Sequence, residues 1–226
     1  MRVLLVDDDD DVQQILGRYL QQDGHVVLPA RTGGEALAAV AAGDLDVAVL
    51  DLTLPDLDGF EVLRRVRSGP SADLPILVLS ARGEEADRLL GLGLGADDYV
   101  VKPFSPREIC LRVGRLGLRR GPGAPKDTPA SLRWGRIDML AGEHRVLVGD
   151  VEVQLTPREY DLLRIFLSRP RHVLSRAAII GALWEDGYVS DHVVDVHLAS
   201  LRRKIGDDLQ IENVRGVGYR LVGPKT

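Results

Sequence analysis

Four short stretches carry side chains whose types and placement suit chemistry: "LLVDDDDDV" (residues 4–12), "VAVLDLTLP" (47–55), "ILVLS" (76–80) and "DYVVK" (98–102). In each, a polar group stands directly after an apolar run: Asp7 and Asp8, then Asp51, Ser80 and Lys102. Like charges crowded at the end of a buried strand repel and lose hydration, so the arrangement calls for compensating positive charge. Carboxylates gathered from separate strands attract a divalent cation. With no His or Cys at these ends, a hard metal with oxygen ligands, Mg²⁺, fits best. An aspartate, a metal, a hydroxyl and an ammonium are the parts needed to transfer a phosphoryl group to a carboxylate, a reaction that mostly demands charge neutralisation and alignment. Asp51 would be its nucleophile. Asp9, Asp10 and Asp11 read instead as the cap and solvated first turn of a helix, where negative charge is mildly favourable.

Such convergence requires particular elements. Before residue 119, strand-like runs ("RVLLV", "HVVLPA", "DVAVLDL", "PILVLSA", "DYVVK") alternate with helical patterns. Val12, Ile15, Leu16, Tyr19 and Leu20 supply the apolar stripe expected of the first helix. Five β-α repeats favour an α/β fold, a doubly wound five-stranded parallel sheet whose active groups gather beyond the carboxyl ends of the strands. The chain, 226 residues with 45% hydrophobic content, has room for two ordinary domains. Residues 119–131, "RRGPGAPKDTPAS", are too poor in apolar side chains to order themselves and read as a flexible linker. The expected division is therefore 1–118, 119–131 and 132–226. The last part places short strand candidates first ("LRWGRIDML", "HRVLVGD", "VEVQL"), then three helical segments and the "NVRGVGYRLV" hairpin, an α+β pattern.

The net charge of −5 conceals an asymmetry: residues 1–118 carry 12 Lys+Arg against 20 Asp+Glu, whereas residues 132–226 carry 14 against 13. In "SDHVVDVHLASLRRKIG", the residues Val193, Val196, Leu198, Leu201 and Ile205 are candidate core positions, leaving His192, His197, Ser200, Arg203 and Lys204 toward the other side. A helix with an apolar back and a basic end, here including Arg202, suits the DNA major groove. The glycine-bearing hairpin adds Arg215, placed to enter a minor groove. No apolar run approaches the roughly 20 residues of a membrane-spanning helix. The start shows no secretory pattern, so a cytoplasmic location is expected. The lone Cys110 reads as a core residue.

Taken together, Asp7-Asp8, Asp51 in "DLTLPDLDG", Ser80 and Lys102-Pro103-Phe104 resemble the CheY-like, flavodoxin-type receiver domain of bacterial two-component response regulators, and "GADDYVVKPFSPRE" resembles its OmpR/PhoB subfamily. "LTPREYDLL", "VLSRAAIIGALW", "VDVHLASLRRKIG" and "VRGVGYRL" resemble the winged-helix DNA-binding domain of the same subfamily. The resemblance implies a phosphorylation-controlled transcription regulator whose Asp51 is phosphorylated by a sensor histidine kinase. It further implies Mg²⁺ held by Asp8, Asp51 and the Thr53 carbonyl, with Asp7 acting through water. Lys102 and Ser80 would bind the phosphate while Tyr99 turns inward, beside a cis bond at Pro103. Phosphorylation would favour a homodimer paired through Arg88 with Glu108 and Asp98 with Arg112, Arg119 contributing another contact, bound to direct repeats of double-stranded DNA, with RNA polymerase as a further partner. Thr156, Arg176 and Trp184 would touch the DNA backbone, Trp184 reading equally as a core residue.

This chain departs from the subfamily at Ala199-Ser200, where many relatives have two Arg, and at "GLGLG" before "GADDY", where relatives usually carry an acidic residue. Two other readings use the same carboxylates. An aspartyl-phosphate phosphatase or phosphotransferase of the haloacid-dehalogenase type would need a second Asp two residues after the nucleophile, where this chain has Thr53, and no substrate-cap segment is evident. A regulator with an inert receiver would keep the DNA-binding part alone. The protein is expected not to be an enzyme beyond phosphotransfer to Asp51 and its slow hydrolysis.

Overall fold

Near-continuous Val, Leu and Ile runs such as "VLLV", "VAVL" and "ILVL" have no polar face, which suits strands covered on both sides. A computed structural model of the chain, described over residues 1–81, 90–118, 131–140, 144–184 and 192–223, places them accordingly. The chain divides into two compact units, Met1–Ala124 and Pro125–Thr226.

The first unit runs β1 (Arg2–Val6), α1 (Asp10–Gln22), β2 (Val26–Ala30), α2 (Gly33–Ala42), β3 (Val47–Asp51), α3 (Gly59–Arg67) and β4 (Ile76–Ser80). After it come the helical residues 90–93, here α4, then β5 (Asp98–Val101) and α5 (Pro106–Leu118). The sheet is parallel with strand order β2-β1-β3-β4-β5. β1, β3 and β4 are buried almost throughout, while β2, which carries Pro29, lies on the edge, where a residue without a backbone N–H is tolerated. The core joins Val3, Leu5, Leu16, Leu20, Val49, Leu77, Ile109 and Val113.

Register sets the site. Val6 pairs with Leu50, so Asp7 and Asp51 come level at the carboxyl ends of adjacent strands. Ser80 pairs with Val101, which brings Lys102 to the same end, and the Lys102–Pro103 bond is cis.

The helix stripe differs from expectation. α1 buries Leu16, Gly17 and Leu20, whereas Ile15 is 50% and Tyr19 38% exposed. The cause is polar: Gln13, on the inner face, places its amide nitrogen 2.8–3.0 Å from the carbonyls of Leu5, Asp7 and Ala30. Satisfying carbonyls at strand ends turns the helix toward Gln13 and away from Ile15.

The second unit opens with an antiparallel sheet, β6 (Ser131–Trp134), β7 (Ile137–Leu140), β8 (Arg145–Val148) and β9 (Val151–Glu152), in that order. Ser131, assigned by composition to the linker, already pairs with Leu140 in this sheet, and residues 119–130 lie outside the described part. Then come α6 (Pro157–Ser168), β10 (Val173–Leu174), α7 (Arg176–Leu183), α8 (His192–Ile205), a 3₁₀ turn (Gly206–Asp208) and the hairpin β11 (Ile211–Val214) and β12 (Gly218–Leu221). β10, β12 and β11 form a three-stranded sheet. The unit is a winged-helix domain, with the hairpin as its wing.

Candidate functional site

The acidic pocket is built from the strand ends inward. Asp7 is fully buried and held from both sides, its Oδ1 accepting from the Asp9 N–H (3.0 Å) and its Oδ2 from Lys102 Nζ (2.8 Å). Lys102 Nζ also donates to Asp51 Oδ2 at 3.0 Å. Asp8 is exposed, yet one oxygen each of Asp7, Asp8 and Asp51 lie within 4.8 Å of one another. Asp51 is only 3% exposed, and its Oδ1 is buried with no hydrogen-bond partner among the described residues. An unpaired buried oxygen is costly, so a ligand for it is wanted. Burial pushes the Asp51 carboxyl above the usual carboxylate range, a push that Asp7 reinforces and the Lys102 ammonium opposes without cancelling. Burial would lower the Lys102 pKa, but Asp7 and Asp51 more than offset it and hold the ammonium charged.

Three carboxylates against one ammonium leave the pocket two negative charges in excess, and its donors are all oxygen. That set fits Mg²⁺. Thr53 is exposed in the loop after β3. Ser80 is fully buried at the end of β4, and its carbonyl accepts from the Lys102 N–H at 2.7 Å. Tyr99 is buried, its ring beside Gly91, where an added Cβ would come within 3.3 Å of the ring. The Asp9 side chain accepts from the amides of Asp11 and Val12 as the cap of α1, and Asp10 pairs with Arg31, as the cap reading of this acidic run requires.

Contacts not evident from the sequence fix the elements that carry this pocket. Asp56 accepts from the Gly33 and Gly34 amides at 2.7 and 2.9 Å, tying the loop after β3 to the start of α2. The buried Arg67–Asp97 pair (2.8 Å), with Asp97 also accepting from the Ile76 N–H, fixes the entry to β5. A polar residue facing inward on α1 was the available signal for Gln13. Nothing in the spacing marks Arg67 and Asp97.

On the expected dimer face, Arg112 is buried and bridges Asp98 (2.7 Å) and Glu108 (2.9 Å) of its own chain. Arg88 and Arg119 lie outside the described residues. Gly117 leaves room for Met1, whose Sδ would lie 2.2 Å from an added Cβ. Burial pushes the Cys110 thiol up to about 11 and keeps it protonated.

In the winged-helix unit the expected DNA-facing set splits. Exposed are His192, Arg203 and, in the wing turn, Arg215. Buried, against the outward reading, are His197 and Thr156, and Trp184 is buried as its core reading has it. His197 is 1% exposed, its ring tilted against that of Trp184 with centroids 5.5 Å apart, because position 197 falls on the same inner face as Val194 and Leu201. Thr156 caps α6 in a reciprocal capping box with Glu159, so its hydroxyl serves the helix start. Others are engaged internally. Glu159, buried, accepts from Ser200 Oγ (2.7 Å) and Lys204 Nζ (2.6 Å). Arg202 donates to the Ile211 carbonyl at 2.6 Å, and Arg176 to Asp195 (3.2 Å) and the Tyr219 hydroxyl (2.6 Å).

The comparisons with known proteins agree with this geometry. Residues 3–114 match the family model described as "Response regulator receiver domain", and residues 150–221 match "Transcriptional regulatory protein, C terminal". The chain belongs to the response regulators of the OmpR/PhoB type. It is 40% identical to the transcriptional regulatory protein TcrA of Mycobacterium tuberculosis over 98% of this chain and 87% of that protein. It is 36% identical to the alkaline phosphatase synthesis transcriptional regulatory protein PhoP of Bacillus subtilis, covering 99% of this chain and 98% of that one. Among solved structures it is similar to DrrB, a Thermotoga maritima OmpR/PhoB homolog, with 28% identity, a TM-score of 0.51 and coverage of 98% and 99%. A RitR mutant shares the fold at a TM-score of 0.78 and 23% identity, with coverage of 98% and 99%. Phosphorylation-dependent transcription regulation is the function this membership supports. No described helix is long and apolar enough to cross a membrane.

Proposed function

We propose that Asp51 is the phosphoacceptor of a switch governing promoter binding by the winged-helix unit. The observation that carries this reading is the buried, unpartnered Asp51 Oδ1 at the centre of an acidic, oxygen-only pocket. Asp51 Oδ1 attacks the phosphorus of a phosphohistidine on a sensor histidine kinase; the P–N bond breaks, an acyl-phosphate P–O bond forms, and the histidine nitrogen leaves with the bonding electrons. Asp8, Asp51 and the Thr53 carbonyl would hold Mg²⁺, with Asp7 joined through water. When bound, the ion neutralises charge on the transferring group.

Lys102 supplies the fixed cation. Already hydrogen-bonded to Asp7 and Asp51, it passes to the phosphoryl oxygens as Asp51 becomes esterified. Ser80 donates its hydroxyl to the phosphate, and Tyr99 packs inward beside it. The receiver, residues 1–118, then dimerises on its α4–β5–α5 face, where Arg88, Asp98, Glu108, Arg112 and Arg119 would exchange partners between copies. The winged-helix units, tethered through residues 119–130, engage direct-repeat half-sites in double-stranded DNA, with RNA polymerase as a downstream partner.

Incubation with acetyl phosphate and Mg²⁺, followed by intact mass spectrometry, tests the switch. One added phosphoryl group per chain is expected, abolished by Asp51→Asn and by chelating the metal. Steady release of phosphate from simple esters would favour the phosphatase reading, and an unlabelled wild-type chain would mean an inert receiver.

A further inference from the structure

α8 presents one outward stripe. His192, Val196, Ala199 and Arg203 are spaced by four, three and four residues, which keeps them within about 60° of one another around a helix turning 100° per residue. His192, Ala199 and Arg203 are exposed and Val196, expected in the core, is instead half-buried on this side, while Val193, Val194, His197, Leu198 and Leu201 form the opposite, buried face.

The polar residues beside the stripe are committed elsewhere. Ser200 and Lys204 bind Glu159, Asp195 binds Arg176 and the Tyr219 hydroxyl, and Arg202 reaches the Ile211 carbonyl. The middle of the stripe is therefore two apolar side chains, Val196 and Ala199, without a donor or acceptor of their own. In the major groove the apolar feature that a base pair offers is the thymine C5-methyl group.

On the winged-helix reading proposed above, we infer that the centre of α8 reads thymine methyls through Val196 and Ala199. The two residues are separated by a rise of about 4.5 Å, slightly more than one base-pair step of about 3.4 Å, so they meet neighbouring base pairs. His192 and Arg203, some 16 Å apart along the helix, bracket that pair with polar contacts to base edges or phosphates. The site this selects has thymines at its centre, with hydrogen-bonded bases only at its margins.

The test uses the full chain phosphorylated with acetyl phosphate. Selection from random duplexes gives the preferred site, and each thymine in it is then replaced singly by deoxyuridine, which removes only the methyl group. Two neighbouring positions per half-site are expected to lose affinity by about fourfold each, the worth of burying one such carbon, with the other thymines indifferent. Ala199→Arg, an exposed substitution, is expected to move one selected position from T toward G, as arginine pairs with guanine. Tolerance of deoxyuridine at every position, or selected half-sites without central thymines, would overturn methyl readout while leaving DNA binding intact. Enrichment of no sequence at all would overturn the DNA-binding reading itself, and this inference with it.

Discussion

Glu159 decides which polar residues of α8 face inward. Burial alone would raise its pKa, but the Lys204 ammonium, the Ser200 hydroxyl and the Thr156 amide outweigh that and hold it below the usual value. A carboxylate with a depressed folded pKa adds stability above its unfolded-state value of about 4.3, and that stability is lost as pH falls through the folded value. Both tryptophans, Trp134 and Trp184, belong to the winged-helix unit, so their fluorescence reports its unfolding. Glu159→Gln, leaving Lys204 without its anion, is expected to cost roughly 3 kcal/mol at pH 7. That difference should shrink as the pH is lowered below 4. Equal urea midpoints for the two proteins at pH 7 would remove Glu159 from this role. At this scale the sequence was informative where one residue type has few uses: Asp51 and Lys102 stand alone at strand ends. It misled at His197, because helical spacing cannot tell a polar group meant for a ligand from one that a neighbouring element covers. Gln13 escaped notice for the same reason.

Elements were more legible than residues, since an apolar run of five leaves few alternatives to a covered strand. The α1 stripe was nonetheless displaced by one position, because the pattern counts only apolar side chains and the inner face holds Gln13 and Gly17. The wing was readable from its glycines, though not the separate reason for each. Gly216 has φ +71° with nothing near its absent side chain, whereas Gly218 has φ +156° and an added Cβ would lie 2.0 Å from the Leu174 carbonyl oxygen. Gly218 thus lets β12 approach β10 closely, and it closes the hairpin opposite Val214. Gly216→Ala is expected to cost about 1 kcal/mol, the strain of a left-handed residue. Gly218→Ala adds overpacking against backbone and should cost about 3 kcal/mol. Tryptophan-monitored urea unfolding checks the order of the two. DNA affinity should fall with Gly218→Ala while labelling of Asp51 stays unchanged, because the two glycines belong to the second unit and Asp51 to the first. Equal costs for both substitutions would mean that the wing does not depend on that approach.

For the whole molecule, the bipartite plan followed from charge and composition: an acidic half, a Gly- and Pro-rich joint and a near-neutral half. How the cations of that second half are used was not legible, because pairing depends on which strands become neighbours. Arg133 with Asp138, Arg136 with Asp208, Arg145 with Glu152, Arg176 with Asp195, Lys204 with Glu159 and Arg220 with Glu212 all pair within the chain. On the α8 and wing side, Arg203 and Arg215 remain as exposed cations without an ion pair among the described residues. Each phosphate neutralised contributes about −0.9 to the slope of log affinity against log salt. Two per chain, doubled in a dimer, give a slope of about −4. On the proposed dimeric reading, such a regulator would hold non-specific DNA weakly, its acidic receivers would weaken that hold further, and occupancy of its own site would rest on base contacts and on joining two units. Fluorescence anisotropy on the selected duplex from low to moderate KCl measures the slope directly, and Arg203→Ala should flatten it by about two units for the dimer. A wild-type slope near −8 would mean that several of the paired arginines leave their carboxylates to meet phosphate, and that the ion pairs seen in the free chain are not those of the bound one.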